Sequence, residues 1–278
     1  MLTPEQIEMR RTGIGGSDIA PIMGKSPYLS ALDIYYLKRD LVEVPQTEAM
    51  YWGDALESAI LARYAKDHPH ATVKTGMGTL RGAGDMAWCL TTPDAWSLPV
   101  QLGVAHGIEA KTAHAFAAHD WQDGPPLHYV MQCQWYMGVL ATPRWDIAVL
   151  LGGSDYREFI LEADETMFAE MLEAARHFWF EHVQKEIPPE PTTAAEVVAL
   201  HPHDDGRILR ANGEQEDTII AFRKAYRLAS RVGQRVDTLK AAVQAIIGDA
   251  SGIEGPWGRI TWKASGKSRR FICNFNEE

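Results

Sequence analysis

The stretch from Thr91 to Lys111, TTPDAWSLPVQLGVAHGIEAK, decides the fold that we predict for this chain. Its short apolar runs are separated by glycine and proline, a pattern typical of strands joined by turns. Asp94 precedes one run, and Glu109 follows fifteen residues later in the next. Because residues i and i+2 of a strand face the same side, Glu109 and Lys111 project together. We therefore predict two acids and a lysine at one edge of a sheet.

The residues at this edge suit phosphodiester cleavage. Two carboxylates and the backbone carbonyl of Ala110 are hard oxygen ligands of the kind that Mg²⁺ takes, and Mg²⁺ also accepts phosphate oxygens of a substrate. A lysine beside the ion can hold the attacking water or stabilise the transition state. The alternative interpretation is a solvated strand face with a cross-strand ion pair, which needs the same residue types.

Helices and strands are predicted on both sides of this stretch. Capping residues, apolar repeats and a proline stop indicate helices over 17–24, 30–39, 48–67, 127–140 and 165–185. A core strand over 146–151 and an edge strand over 156–162 follow the fourth of these helices. Together the elements predict an α/β fold with a central mixed sheet flanked by helices.

Prolines after the last of these helices indicate a linker. The sequence Ile187-Pro-Pro-Glu-Pro191 stops the helix, and we place the domain boundary there. The expected organisation is a first domain over 1–187, a linker over 188–192 and a helical region over 193–278.

The region after the linker divides into a long helix and a hairpin. Apolar residues three or four apart between Ile219 and Ile246 predict an amphipathic helix with a coiled-coil-like seam. Alternation after Gly255 predicts a hairpin about Ser265-Gly266. The segment 255–276 has no acidic residue and five basic ones, namely Arg259, Lys263, Lys267, Arg269 and Arg270. We expect this region to bind phosphate or to mediate assembly.

Composition excludes several classes of protein. Of the 278 residues, 46% are hydrophobic and 23% are charged, a balance that excludes wholesale disorder and fibrous repeats. The net charge of −10 argues against a protein that coats nucleic acid non-specifically, but it allows a nuclease with one phosphate-binding groove. Three scattered cysteines without a CxxC pair argue against a Cys-rich metal site and indicate a reducing compartment. Since the chain shows neither a signal-peptide core nor a membrane span, we expect a cytoplasmic protein.

Five motifs follow one another along the first part of the chain. They are Arg10-Arg11-Thr-Gly-Ile-Gly-Gly-Ser17-Asp18, Trp52-Gly-Asp-Ala-Leu-Glu57, Thr92-Pro-Asp94, Glu109-Ala-Lys111 and Tyr129-Val-Met-Gln132-Cys-Gln134-Trp-Tyr-Met137. In order and rough spacing they resemble the YqaJ-like viral recombinases, a family that is similar to phage lambda exonuclease and belongs to the PD-(D/E)xK nucleases. The resemblance covers about residues 8–185, and it implies a restriction-endonuclease-like core in the first domain.

The resemblance implies a role for each matching residue. The implied metal ligands are Asp94, Glu109, Glu57 and the carbonyl of Ala110. Lys111 acts on the nucleophile, and Gln132 positions water or DNA beside the metal. The implied contacts to DNA and its 5′-phosphate are Arg10, Ser17, Tyr129 and Gln134, with Arg11 as the alternative to Arg10. A guanidinium and a hydroxyl at a helix N-terminus both suit a phosphate.

The function implied by the resemblance is a Mg²⁺-dependent exonuclease, with Mn²⁺ as a substitute ion. It degrades one strand of duplex DNA from the 5′ end and leaves a 3′ overhang for phage-type recombination. The implied partners are double-stranded DNA ends, further copies of the chain in a ring-shaped trimer and a single-strand annealing protein, with no membrane. If a phage encodes the chain, the expected location is the cytoplasm of the bacterial host.

Two alternative functions stay open. The first is a PD-(D/E)xK endonuclease, and the second is a non-catalytic DNA-binding recombination scaffold with a degenerate site. The intact set of Asp94, Glu109 and Lys111 speaks against the scaffold.

Overall fold

The computed structural model describes residues 4–42, 45–100, 103–201, 203–266 and 268–276. The chain divides into two compact units, Met1–Pro202 and His203–Glu278. The helices of the first unit are α1 (Pro4–Arg11), α2 (Gly16–Ile22), α3 (Ala31–Lys38), α4 (Glu48–Asp67), α5 (Leu127–Leu140), α6 (Glu165–His177) and α7 (Ala194–Leu200). Its strands are β1 (Ile14–Gly15), β2 (Ala71–Thr75), β3 (Leu80–Arg81), β4 (Cys89–Thr91), β5 (Ala95–Pro99), β6 (His106–Ala113), β7 (Arg144–Leu151) and β8 (Asp155–Glu162). The second unit contains α8 (Gly213–Ile247), β9 (Gly252–Gly255), β10 (Gly258–Ser265) and β11 (Ser268–Phe275).

The centre of the first unit is a mixed sheet of five strands in the order β2-β5-β6-β7-β8. β6 and β7 run parallel, with Glu109 opposite Ile147, and the other neighbouring strands are antiparallel. Trp145, Ile147 and Val149 of β7 are fully buried, as expected for a strand inside a covered sheet. The predicted α/β fold with a central mixed sheet is confirmed.

Helices pack on both faces of this sheet. On one face, Ile60 and Tyr64 of α4 form a core cluster with Ile108 of β6. On the other face, residues of α2 and α5 share a larger cluster with Ile147 of β7. Because neighbouring strand residues point to opposite faces, Ile108 lies under α4 whereas Glu109 points toward α5.

A smaller sheet fixes the start of α2. β1 pairs in parallel with β4, which also pairs with β3. The chain leaves β1 and enters α2 within the motif Gly15-Gly16-Ser17-Asp18. Asp18 closes this turn, because its carboxylate accepts a hydrogen bond from the Gly15 N–H at 2.7 Å. The helix predicted over 17–24 is therefore confirmed, with Gly16 as its first residue and Ile22 as its last.

The helix predicted over 165–185 is α-helical only in its first part. α6 ends at His177, and a π-helical segment over Phe178–Val183 continues it. Phe178, Trp179 and Val183 are buried in the core of the first unit. The wider π-helical turn lets these side chains pack in the core. An apolar repeat in the sequence does not distinguish a π-helical turn from an α-helical one.

The division between the units lies further along the chain than the linker that we predict over 188–192. The Glu196 carboxylate of α7 accepts hydrogen bonds from the Thr192 and Thr193 N–H groups just before the helix. Leu200, at the end of α7, packs against the core of the first unit. The packing of Leu200 attaches α7 to the first unit, which extends beyond the prolines to residue 202.

The second unit consists of α8 and an antiparallel sheet of three strands. β10 and β11 form the predicted hairpin, in which Ser265 pairs with Ser268 and Gly266 has a φ of 61°. The seam predicted along α8 is exposed, and its members include Ile219, Phe222, Tyr226, Val232, Val236 and Leu239. None of the described helices, α8 included, has the length and apolar character that a membrane span requires.

Candidate active site

Strand β6 and helix α5 build a buried polar cluster. Glu109 and Lys111 point to the same side of β6, and Lys111 Nζ donates a hydrogen bond to Glu109 Oε1 at 2.5 Å. The side-chain amide of Gln132 donates to the same oxygen at 2.6 Å and to the Tyr136 hydroxyl at 3.1 Å. Glu109 is only 2% exposed. The structure therefore brings three of the predicted site residues into direct contact.

Asp94 joins this cluster from the loop between β4 and β5. Its Oδ2 accepts a hydrogen bond from the Ala110 N–H at 2.8 Å, which ties Asp94 to the strand that carries Glu109. Burial and the negative charge of Glu109 raise the pKa of Asp94 to about 7. Burial also raises the pKa of Glu109. Two poorly solvated carboxyl groups in one site favour a cation that compensates both charges.

One carboxylate oxygen of Glu109 has no partner among the residues that the structure describes. Oε1 accepts the hydrogen bonds from Lys111 and Gln132, whereas Oε2 is buried and accepts none from the described residues. A buried acceptor without a partner is costly, and in a native structure it calls for a bound ion or water. Oε2 is therefore a candidate metal ligand.

Side-chain ligands for a metal are few at this cluster. Among the described residues, no three His, Cys, Asp or Glu side chains are arranged to hold a metal ion by themselves. Mg²⁺ does not need such a cage, because it keeps several waters and is commonly held by one or two carboxylates with substrate phosphates. Asp94 and Glu109 therefore fit Mg²⁺ better than Zn²⁺, which takes a closed set of nitrogen and sulfur ligands in structural sites.

Glu57 approaches the cluster from α4. Burial and the negative charge of Asp94 raise the pKa of Glu57, and the positive charge of Lys111 opposes this rise. These interactions place the Glu57 carboxyl close enough to Asp94 and Lys111 to respond to their charges. The third predicted acid is thus linked to the cluster by charge, and no hydrogen bond among the described residues joins it to Asp94, Glu109 or Lys111.

Tyr129 supports Lys111 from the α5 side. Its ring centroid lies 5.0 Å from Lys111 Nζ, a cation–π contact, and the ring stacks on Trp121. Burial lowers the pKa of Lys111, but the charges of Glu109 and Asp94 outweigh burial and raise it overall. Lys111 is therefore a fixed, protonated cation at neutral pH.

Arg10 and Ser17 meet at the junction of α1 and α2. The Arg10 guanidinium donates a hydrogen bond to the Ser17 hydroxyl. Arg11 points elsewhere, because its guanidinium pairs with Glu8 at 2.7 Å and with Asp40. Of the two candidate arginines, Arg10 is the one that lies beside Ser17.

Helices α2 and α5 approach each other closely at Gly16. A Cβ added to Gly16 would lie 2.9 Å from the Gln132 carbonyl oxygen and 2.6 Å from the Tyr136 ring. This approach needs a residue without a side chain. It makes the Arg10–Ser17 pair a neighbour of the Glu109 cluster, across the contact between the two helices.

The part of the chain that contains the Glu109 cluster and the Arg10–Ser17 pair is similar to known proteins. Residues 6–143 match the YqaJ-like viral recombinase domain. The uncharacterized protein YqaJ of Bacillus subtilis (strain 168) is 30% identical over 188 residues, which are 66% of this chain and 57% of that protein. The chain therefore spans little more than half the length of that relative. The resemblance drawn from the five motifs is confirmed.

Solved structures share the fold of about two thirds of the chain. The alkaline exonuclease LHK-Exo from Laribacter hongkongensis is 20% identical, with a TM-score of 0.56 over 66% of this chain and 94% of that chain. The structure of LHK-Exo in complex with dAMP gives 21% identity and the same TM-score and shares. At this level of identity the similarity shows the fold, and it confirms the predicted fold class.

Gln134 lies on α5 but does not face the cluster. Its amide nitrogen donates to the Glu162 carbonyl at 2.7 Å, and its amide oxygen accepts from the Asp164 N–H at 2.8 Å. Both groups of this buried side chain thus join the end of β8 to the start of α6. The structure does not bring Gln134 to the side of Gln132, because residues two apart on a helix point in nearly opposite directions.

A buried ion pair lies behind Arg10 and Ser17, and our sequence analysis did not predict it. Lys38 Nζ is 2.6 Å from Asp18 Oδ2 and donates to the Arg10 carbonyl at 2.6 Å. The two side chains are 5% and 8% exposed. The pair therefore holds the end of α1 against the start of α2. A lysine in the last turn of a helix is ordinarily a solvated cation, so its position in the sequence carries no signal of burial.

We expect Lys38→Met to lower the free energy of unfolding by about 3–5 kcal/mol, because it leaves the Asp18 carboxylate buried and unpaired. Urea denaturation followed by circular dichroism measures this loss. Lys38→Met combined with Asp18→Asn should recover most of it, since Asn keeps an acceptor for the Gly15 N–H without the charge. A loss of unfolding free energy below about 1 kcal/mol is typical of exposed ion pairs, and it would contradict the burial of this pair.

Proposed function

We propose that this chain is a metal-dependent exonuclease that digests duplex DNA from the 5′ end and leaves 3′ overhangs for phage-type recombination. The observation that carries the proposal is the cluster of Asp94, Glu109, Lys111 and Gln132. In this cluster, Glu109 Oε2 is buried and has no partner in the described part of the chain. The match to the YqaJ-like viral recombinase domain supports it. That LHK-Exo was solved with dAMP, a nucleoside monophosphate, agrees with the release of single nucleotides.

The proposed ion is Mg²⁺, with Mn²⁺ as a substitute. Its ligands would be Asp94, Glu109 and the carbonyl of Ala110, with Glu57 completing or orienting the set. When bound, Mg²⁺ lowers the pKa of a coordinated water and neutralises charge on the phosphate.

The residues of the chain supply the other parts of the reaction. Lys111 holds its ammonium against Glu109, where it can orient the attacking water and stabilise the additional negative charge of the transition state. Gln132 fixes Glu109 by a hydrogen bond to Oε1, and this leaves Oε2 for the ion. The Tyr129 ring holds the Lys111 ammonium by the cation–π contact. Because these groups are held before substrate arrives, little reorganisation is needed during the reaction.

Digestion of end-labelled DNA tests this function. Linear duplexes labelled at either the 5′ or the 3′ end are incubated with the full chain and Mg²⁺, beside closed circular duplexes and reactions with chelator. We expect early release of the 5′ label, intact circles and no digestion with chelator. Cleaved circles would indicate the endonuclease alternative, and binding without cleavage would indicate the DNA-binding scaffold.

A 5′-phosphate pocket at Arg10 and Ser17 belongs to this proposal. The Arg10 guanidinium donates to the Ser17 hydroxyl, so the two groups lie together, and a guanidinium binds phosphate in a bidentate way. We expect Arg10→Ala to slow digestion of 5′-phosphorylated ends much more than that of dephosphorylated ends, because only the phosphate loses a contact. Initial rates on the two substrates give the measurement.

The matched control for this prediction is Arg11→Ala. Arg11 is already paired with Glu8 and Asp40, so its removal should leave the ratio of the two rates unchanged. Equal slowing of both substrates by Arg10→Ala would make Arg10 a structural residue. A selective loss with Arg11→Ala would assign the pocket to Arg11.

The remaining parts of the proposal concern partners. Double-stranded DNA ends would be the substrate, and the family resemblance suggests a ring-shaped homotrimer, a single-strand annealing protein as partner and a cytoplasmic location. Light scattering on the full chain measures the number of copies directly.

A further inference from the structure

The basic residues of the terminal hairpin are less available for phosphate than the sequence suggests. The Arg269 guanidinium donates to the carbonyls of Gly248 and Ala250 and lies 3.8 Å above the Trp262 ring. Arg259 pairs with Glu254 at 2.6 Å. Two of the predicted cations therefore hold the second unit together, and Lys267 lies outside the described residues.

The middle of α8 carries a different set of cations. Between residues 218 and 236 the helix has no acidic residue and five exposed basic ones, Arg223, Lys224, Arg227, Arg231 and Arg235. None of the five side chains has a hydrogen bond or ion pair in the part of the chain that the structure describes. The acids of α8 stand nearer its ends, at Glu214, Glu216, Asp217 and Asp237. The cations of this segment thus lack compensating charges along the helix.

Four of these residues form a continuous stripe, which we call the arginine stripe: Arg223, Arg227, Arg231 and Arg235. Each step of four residues advances about 6 Å along the helix axis and turns by only about 40°. Like charges at this spacing repel one another and destabilise a helix. A bound polyanion removes that repulsion, so the stripe favours an extended anionic partner.

We propose that the arginine stripe binds the phosphate backbone of duplex DNA. This inference rests on the proposed function, which makes DNA the substrate. Phosphates recur at regular intervals along each strand of a duplex, so a row of guanidinium groups at regular steps of about 6 Å can contact several of them. Each guanidinium offers a planar fork of donors that suits a phosphate, and such contacts are independent of base sequence.

The arginine stripe lies in the part of the chain where DNA binding would not interfere with cleavage. Every proposed metal ligand lies in the first unit, and the stripe lies in the second. An exonuclease must hold whatever duplex it meets, and contacts to the phosphate backbone provide affinity without reading bases. The second unit would thus contribute DNA affinity and leave bond cleavage to the first.

The test is the salt dependence of duplex binding by the full chain in chelator, followed by fluorescence anisotropy. We expect Arg227→Gln with Arg231→Gln to reduce the slope of log Kd against log salt by about 1.8, since each lost phosphate contact removes about 0.9. Glutamine is a good helix former, so α8 should persist. The matched control is Lys66→Gln with Lys74→Gln, which removes the same charge from exposed positions of the first unit and should leave the slope unchanged.

The outcomes separate this inference from the proposed function. An unchanged slope in the stripe variant, with normal DNA binding and cleavage by the parent chain, would overturn the inference alone. A parent chain that neither binds nor cleaves duplex DNA would overturn the proposed function as well. A change in mass by light scattering with an unchanged slope would assign the stripe to contacts between copies of the chain, which also overturns DNA binding.

Discussion

Asp94→Asn and Glu109→Gln will each abolish metal-dependent cleavage of DNA while leaving the fold and the binding of DNA ends largely intact. Both substitutions keep the size of the side chain and remove one negative charge from the proposed metal site. In Asp94→Asn the side-chain oxygen can still accept the hydrogen bond from the Ala110 N–H. Initial rates of nucleotide release with Mg²⁺ measure the effect, and circular dichroism checks the fold.

The effect should depend on charge rather than on packing. Cys133→Ser is a matched control for disturbance of α5, because Cys133 is fully buried and takes no part in the proposed chemistry. It should lower stability and spare activity at a temperature where the protein is folded. Activity that persists in Asp94→Asn, or in the parent chain with excess chelator, would contradict the proposed metal site.

Lys111→Ala should lower the rate of cleavage by about 10²–10³-fold, the loss typical when one preorganised stabiliser of transition-state charge is removed. The ammonium is held between Glu109 and the Tyr129 ring, so no neighbouring side chain can replace it without a rearrangement. Single-turnover rates at saturating enzyme separate this loss from weaker DNA binding.

Two further variants make the Lys111 prediction specific. Lys66→Ala removes an exposed lysine of α4 and should leave the rate unchanged. Tyr129→Phe keeps the ring beneath the ammonium and should cost far less than Lys111→Ala. A loss below about threefold in Lys111→Ala, small beside the range expected for a preorganised charge, would reduce Lys111 to a structural lysine.

Local patterns in the sequence predicted most elements of the fold. Capping at Ser30 and the apolar repeat of α4 are properties of neighbouring residues, and the structure has these helices close to the predicted bounds. The π-helical segment after α6 and the attachment of α7 to the first unit were not predictable in this way. Both depend on packing against residues far away in the sequence.

The candidate site shows the same division. Strand alternation was enough to place Glu109 and Lys111 side by side, because it acts over two residues. The motif contains Gln134, but it does not reveal that the partners of this side chain are backbone groups at residues 162 and 164. The motif also left Arg10 and Arg11 undecided, and the orientation of α1 beside α2 distinguishes them.

The sequence by itself thus determined most of the helices, the strand that carries Glu109 and Lys111, and the hairpin at Ser265-Gly266, because each follows from interactions between near neighbours. Only the tertiary structure decided that Asp94 bonds to Ala110 and that Lys38 is buried against Asp18. It also decided that the seam of α8 is exposed. These features depend on contacts between segments that are distant in the sequence. Burial changes the pKa values and the hydrogen bonds of the side chains involved, and it arises only when the chain folds.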